Sequence, residues 1–254
     1  MNRYIFYFRN LVLTLLVFTF TNSCSPSSDR TTTTESNGSA ATRPAEPGLT
    51  VELRDAMTPE QVLQAFKDGN KRFVDGDLRY RKFTTEISET AITQNPYAIV
   101  LSCIDSRAPA ETIFDKRLGD IFNTRLAGNV LNEDVLGGME FACNLAGAKL
   151  IMVMGHTKCG AIKGAAANVE FGNLTHLLNK IEPAIASANT TYSGTPDADN
   201  YKYVDHVAEE NVKYVIDQIR ARSPELEKLE REGKIKIVGS LYEIETGVVR
   251  FYEL

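Results

Sequence analysis

The sequence predicts an α/β protein with a mostly parallel central sheet flanked by helices, and three observations carry that reading. Residues 97–102, 120–126 and 149–154 are short apolar runs of strand length, bounded by polar or turn-forming residues. The stretches between them have helical periodicity, and strands alternating with helices favour a parallel sheet covered on both faces. Residues 234–242 and 248–252, joined around Glu245-Thr246-Gly247, read as a strand and its hairpin partner, which adds an antiparallel strand at one edge.

Taken from its start, the 254-residue chain divides into three parts. Residues 1–23 hold Arg3 and Arg9, no acidic residue, and the apolar run Leu11-Val12-Leu13-Thr14-Leu15-Leu16-Val17-Phe18-Thr19-Phe20, the layout of a secretory signal peptide. Ten helical residues rise only about 15 Å, against roughly 30 Å of bilayer hydrocarbon, which argues for export over a membrane span. Cys24 follows the run directly and resembles the acylated Cys of a bacterial lipoprotein; small Ser23 fits that pattern, whereas Thr21 stands where Leu is usual. Diacylation there would hold a soluble domain to a membrane surface, facing the periplasm. Residues 24–48 are Ser, Thr, Pro, Ala and charge, including Thr31-Thr32-Thr33-Thr34, and read as a disordered tether. Residues 49–254 are long enough to bury one sizeable core.

Within that domain, Thr58-Pro59-Glu60-Gln61 opens a helix, with Thr as N-cap, Pro at the first helical position and Gln completing a capping box. Val62, Ala65, Phe66 and Phe73 fall near one face, and Gly69-Asn70 is expected to break or kink it. Cys143 lies in an apolar helical pattern with Met139, Phe141, Ala142, Leu145 and Ala146, and reads as a core residue. Gly160 begins a helical stretch over 161–167 whose first amides are free to bind an anion. Removing residues 1–23 takes away two Arg and no acid, so the formal charge becomes more negative than −5. No basic stripe remains to favour nucleic acid.

Chemistry concentrates in Cys103-Ile104-Asp105-Ser106-Arg107 and His156-Thr157-Lys158-Cys159. Cys103 closes the first apolar run, and the second motif closes the third. In open parallel sheets, ligands bind beyond the carboxyl ends of strands where neighbouring crossovers diverge, which brings both motifs to one place. Two thiolates and one imidazole suit zinc and fill three of four tetrahedral positions, leaving one for water or a carboxylate. Two thiolates nearly cancel the charge of the ion and acidify its water less than three neutral imidazoles would, so a helper base has value. Asp105, two residues from Cys103, can cap the metal or accept a hydrogen bond beside it. Arg107 can hold Asp105 off the metal through a bidentate pair and keep it ionised.

Cys103-x-Asp105-Ser106-Arg107 with His156-x-x-Cys159-Gly160 resembles the β-class carbonic anhydrases. The resemblance extends through Gly69-Asn70-x-Arg72-Phe73, Gln94-x-Pro96, Gly119-Asp120, Arg125-x-Ala127-Gly128-Asn129 and Tyr242-x-x-x-Thr246-Gly247, over roughly residues 58 to 252. It implies an N-terminal helical arm embracing a partner subunit, a homodimer or higher homo-oligomer, and an active site at the subunit boundary with one zinc ion per subunit. The implied reaction is reversible hydration of carbon dioxide to bicarbonate and a proton by zinc-bound hydroxide. Asp105 orients the hydroxide, and Gln94 and the Gly160 amide hold the developing bicarbonate oxygens. Gln94 matches the substrate-binding Gln of the plant-like subgroup and Phe122 an aromatic of the carbon dioxide pocket, while Phe141 replaces a Tyr common there.

Plainer readings of the same residues stay open at the level of sequence. Cys103 and Cys159 can pair as a disulfide, Asp105 and Arg107 can be a structural ion pair, and Phe122 and Phe141 can be ordinary core aromatics. His176 and His206 lack partners at ligand spacing and read as structural or exposed. Two other functional classes also fit: a zinc hydrolase of carbonyl sulfide or carbon disulfide on the same fold, and a non-enzymatic zinc-binding or thiol-redox surface protein.

Overall fold

The computed structural model describes residues 48–252, so the signal segment, Cys24 and nearly all of the tether lie outside the described residues. A short helix α1 (Val51–Ala56) leads into α2 (Pro59–Asp75). The capping box forms as the sequence predicts: the Gln61 amide donates to the Thr58 hydroxyl at 3.2 Å, and the Thr58 amide to the Gln61 carboxamide oxygen at 2.8 Å.

Gly69-Asn70 does not interrupt α2, which runs unbroken past it. A Cβ on Gly69 would lie 1.9 Å from the Phe114 carbonyl oxygen, so Gly69 serves close approach of two backbones. Asn70 is buried, donates to the Gly247 carbonyl and accepts from the Val249 amide, both at 2.9 Å, and so ties α2 to the closing hairpin. The breaker signal in the sequence is a packing signal in the structure.

Helix α3 (Phe83–Thr90) is followed by β1 (Ala98–Ser102), α4 (Ala110–Ile113), β2 (Ile121–Arg125) and α5 (Glu133–Glu140). A single π turn, Phe141–Leu145, continues α5 where regular helical periodicity was expected. Then come β3 (Leu150–His156), α6 (Gly160–Ala166), α7 (Gly172–Leu178), α8 (Glu182–Thr191), α9 (Tyr201–Arg222), α10 (Pro224–Arg231), β4 (Lys236–Tyr242) and β5 (Val249–Tyr252). The sheet order is β2-β1-β3-β4-β5, with the first four strands parallel and β5 antiparallel to β4 as the hairpin signal requires.

Alternating residues of the strands face two cores. Ile99, Leu101, Ile151, Val153 and Ile237 pack with residues of α5, α9 and α10, while Val100, Leu150, Met152, Met154 and Val238 pack with residues of α2 and α4. Every residue of β1 and β3 is buried, the signature of strands covered on both faces. Edge strand β2 is half-buried throughout. Cys143 is buried as predicted, and burial pushes its thiol up to about 12. Among the described residues no helix is long and apolar enough to cross a membrane.

Candidate metal centre

Because the chain crosses from β1 to β2 on one side and onward to β3 on the other, the strand order reverses between β1 and β3. Ligand sites of open α/β sheets lie at such a reversal, beyond the carboxyl ends. Cys103 follows β1 directly and His156 is the last residue of β3, so both motifs meet there. One sulfur from each motif and the imidazole have ligand atoms within 4.8 Å of one another, and all three residues are buried.

The geometry fits a tetrahedral ion. Two sulfurs each about 2.3 Å from a zinc ion sit roughly 3.8 Å apart, and Cys103 Sγ and Cys159 Sγ are 4.0 Å apart. Both cysteines are free, which sets aside the disulfide reading. His156 Nδ1 lies 2.9 Å from the Thr157 carbonyl oxygen, which places the ring proton on Nδ1 and leaves the Nε2 lone pair available. Nε2 is buried and without a hydrogen-bond partner, as a ligand atom awaiting a cation would be.

The two sulfurs are drawn in opposite directions, while backbone amides favour the thiolate of each. The hydrogen bond from Cys159 holds the Cys103 thiol far below its usual range against burial, helped by His156 and the amides of Gly128 and Asp105. The Gly128 amide lies 3.3 Å from Cys103 Sγ. Donation to Cys103 and burial raise Cys159 instead, while the amides of Ile162 and Ala161 favour its thiolate. The negative charge is thus favoured on Cys103 with Cys159 as its hydrogen-bond donor, and binding of a divalent cation by the pair would release protons. The first amides of α6, read from sequence as free for an anion, bear on the Cys159 sulfur.

Beside this cluster, Asp105 is committed to Arg107. One carboxylate oxygen accepts the Arg107 amide and Nε, both at 2.9 Å, and the other accepts a terminal guanidinium nitrogen at 2.8 Å. These bonds, Arg107 foremost, hold the Asp105 carboxyl well below the usual carboxylate range. Its second oxygen is also 3.9 Å from His156 Nε2, so the ionised group borders the ligands without joining them. An open, mostly apolar hollow of about 270 Å³ adjoins the centre, lined by Cys103, Ile104, Asp105, Gly160, Leu174 and Leu178 among others.

Of the predicted substrate residues, the single chain brings only Gly160 to this hollow. Gln94 is exposed and lines a separate one, four residues before the start of β1. A five-residue strand spans about 17 Å, so Gln94 and Cys103 stand at opposite ends of β1. Phe122 is the second residue of β2 and pairs with Ile99 rather than with the strand ends. Its ring packs edge-on against Phe141, centroids 5.9 Å apart, and Phe141 is 52% exposed. His176 is exposed, and His206 lies 2.8 Å from the Thr191 hydroxyl, away from the cluster.

Two residues hold the ligand loops in roles the sequence did not assign, although Arg125 stands within one of the matching motifs. Arg125, the last residue of β2, donates Nε to the Cys103 carbonyl at 2.9 Å and a second guanidinium nitrogen to the Asp105 carbonyl. Asp205 of α9 accepts the Lys158 amide at 2.6 Å. A cation at a strand's carboxyl end signals Arg125, whereas nothing local to Asp205 distinguishes it from any helix-surface acid.

Fold and site together define an α/β protein whose Cys103, His156 and Cys159 fit a metal site, with a carboxylate held ionised beside it. A sequence profile described as carbonic anhydrase matches residues 98–249. Carbonic anhydrase 2 of Mycobacterium tuberculosis is 31% identical over 195 residues, covering 74% of this chain and 90% of that protein. The β-carbonic anhydrase CafA of Aspergillus fumigatus superposes with a TM-score of 0.59 at 26% identity, over 76% of this chain and 90% of that one. The tetrameric β-carbonic anhydrases of Sordaria macrospora share the fold, with a TM-score of 0.61 at 23% identity over 66% of this chain and 86% of that one. The chain belongs to the carbonic anhydrase family, in its β class.

Proposed function

We propose that this chain is a zinc carbonic anhydrase of the plant-like, open-site kind, exported, anchored at Cys24 and completed across a subunit boundary. It hydrates carbon dioxide reversibly to bicarbonate and a proton. The observation that carries this reading is the bidentate Asp105–Arg107 pair next to a Cys103, His156 and Cys159 ligand set. A purely structural zinc site has no use for a carboxylate held ionised beside an open face.

Cys103, His156 and Cys159 hold the ion, one per subunit. When bound, zinc supplies a Lewis acid that makes a water nucleophilic near neutral pH. Arg107 keeps Asp105 off the metal and unprotonated, so that Asp105 accepts a hydrogen bond from the nucleophile and aims it into the hollow. Ile104, Leu174 and Leu178 give that hollow an apolar wall suited to a linear, uncharged substrate. The Gly160 amide steadies an oxygen of the developing bicarbonate.

Gln94, Phe122 and Phe141 serve the site of a second copy. None of them lines the hollow beside their own Cys103, Gln94 and Phe141 are exposed, and edge strand β2 is only half-buried. An obligate C2 dimer would cover these groups and set them against the partner's zinc site.

Stopped-flow measurement of carbon dioxide hydration by the full chain, with zinc content quantified, tests the reading. Strong activity at both near-neutral and mildly alkaline pH is expected. Activity confined to alkaline pH would mean that Asp105 caps the metal, and none at full zinc occupancy would favour a zinc hydrolase of carbonyl sulfide or carbon disulfide or a non-enzymatic zinc-binding protein. The anchor makes its own prediction. Cys24→Ser is expected to move the protein from the membrane to the soluble fraction and abolish acyl labelling, and unchanged membrane retention would exclude lipidation at Cys24.

A further inference from the structure

His156 and Cys159 stand three residues apart, and in a continuing strand an odd spacing would send their side chains to opposite faces. Both reach one cluster because the chain turns sharply between the end of β3 and the start of α6. The turn depends on Lys158, whose φ of 55° is left-handed, a region that residues with a side chain avoid. Something must hold that conformation in place of glycine.

Beside the His156 Nδ1 bond to the Thr157 carbonyl, three further contacts surround the turn. The Thr157 amide donates to the Tyr242 carbonyl at 2.9 Å, and the Thr157 hydroxyl accepts the Ile244 amide at 3.0 Å. These fix Thr157 to the neighbouring strand but leave Lys158 itself free to relax. The third contact is on Lys158: its amide donates to Asp205 Oδ1 at 2.6 Å, a short bond to an ionisable carboxyl. Asp205 sits early on α9, between buried Val204 and buried Val207 and Ala208, so its support is rigid. The Lys158 ammonium meanwhile pairs with Glu245 and lies 5.9 Å from the centroid of the Tyr201 ring, outside the cluster.

We propose that Asp205 is a positioning residue for the metal: by holding Lys158 in its left-handed turn, it brings Cys159 onto the ion that His156 and Cys103 share. This rests on the reading that Cys103, His156 and Cys159 bind a metal. Asp205 itself is half-buried and polar, so its loss is expected to fall on the ligand turn and not on the apolar core. Groups that orient ligands from outside typically change metal affinity 10- to 100-fold when lost.

The test loads the full chain with Co²⁺, whose thiolate bands report ligand geometry, and follows release to a chelator alongside apo-protein melting. Asp205→Ala is expected to release cobalt roughly 10- to 100-fold faster, with altered thiolate bands and an unchanged apo melting temperature. Asp205→Asn keeps an acceptor oxygen for the Lys158 amide and is expected to stay within a few-fold of wild type. Lys158→Gly removes the need for an outside clamp, so the Asp205→Ala effect is expected to shrink in that background. Release at the wild-type rate with unchanged bands in Asp205→Ala overturns the proposal, as does an effect equally large beside Lys158→Gly. Loss of the apo melting transition also overturns it, because Asp205 would then serve the fold. A wild-type chain that takes up no cobalt overturns the metal reading and this one with it, whereas wild-type-like release by Asp205→Ala overturns this one alone.

Discussion

Asp105→Ala is expected to lower kcat for carbon dioxide hydration by roughly 10²- to 10⁴-fold, the range general acid–base groups contribute, while zinc stays bound at full stoichiometry. Cys103, His156 and Cys159 are untouched by the change. Arg107, which loses both side-chain bonds to the carboxylate, is 51% exposed on its side chain and can turn to solvent without a buried charge being stranded. The loss should appear in kcat and kcat/KM together, since the missing contact is one made while the nucleophile is delivered. Arg107→Ala is the informative companion. It frees Asp105, whose second oxygen already lies 3.9 Å from His156 Nε2, to turn toward the ligand set and cap the metal, and activity should then survive best at alkaline pH. Wild-type turnover by Asp105→Ala with a full complement of zinc would remove Asp105 from the mechanism and leave its pairing with Arg107 as a structural one.

The centre was legible in the sequence for a physical reason. Metal ligation depends on residue type and on the ends of strands, and both are local: Cys103 and His156 could be placed by ending two apolar runs, and the structure extends the third run only to His156 itself. The closing hairpin was legible for the same reason, through Gly247 and the alternation around it. What local reading could not reach were properties set by distant backbone. Gly69 looks like a helix breaker until Phe114 is brought against it, and Asn70 looks like a turn residue until Gly247 and Val249 supply its partners. The π turn at Phe141, the clamp by Arg125 and the approach of Asp205 to Lys158 are tertiary in the same sense. Helix α9, which delivers Asp205, follows a long polar stretch and announces itself only through the Asn200 cap and its buried stripe.

Two inactive variants are expected to restore activity to one another when combined. If Gln94 acts in the partner's site, a dimer of one Asp105→Ala chain and one Gln94→Ala chain carries one site with both defects and one with none. The intact site takes its ligands, Asp105 and Arg107 from the Gln94→Ala chain and its Gln94 from the Asp105→Ala chain. With random pairing, half of the dimers are mixed and half of their sites are whole, so co-expressed or denatured and reassociated mixtures should recover about a quarter of wild-type activity. If Gln94 instead served its own chain, both sites of the mixed dimer would carry one defect and no activity would return. Geometry favours the first outcome: Gln94 sits beyond the amino end of β1 and Cys103 beyond its carboxyl end, with the five buried residues Ala98–Ser102 between them. No rotamer of a Gln side chain spans that strand, so within one chain the two cannot address the same carbon dioxide molecule. Recovery near a quarter would therefore establish both the oligomer and the division of labour within it, and its absence, with both parent variants inactive, would place the action of Gln94 within its own subunit.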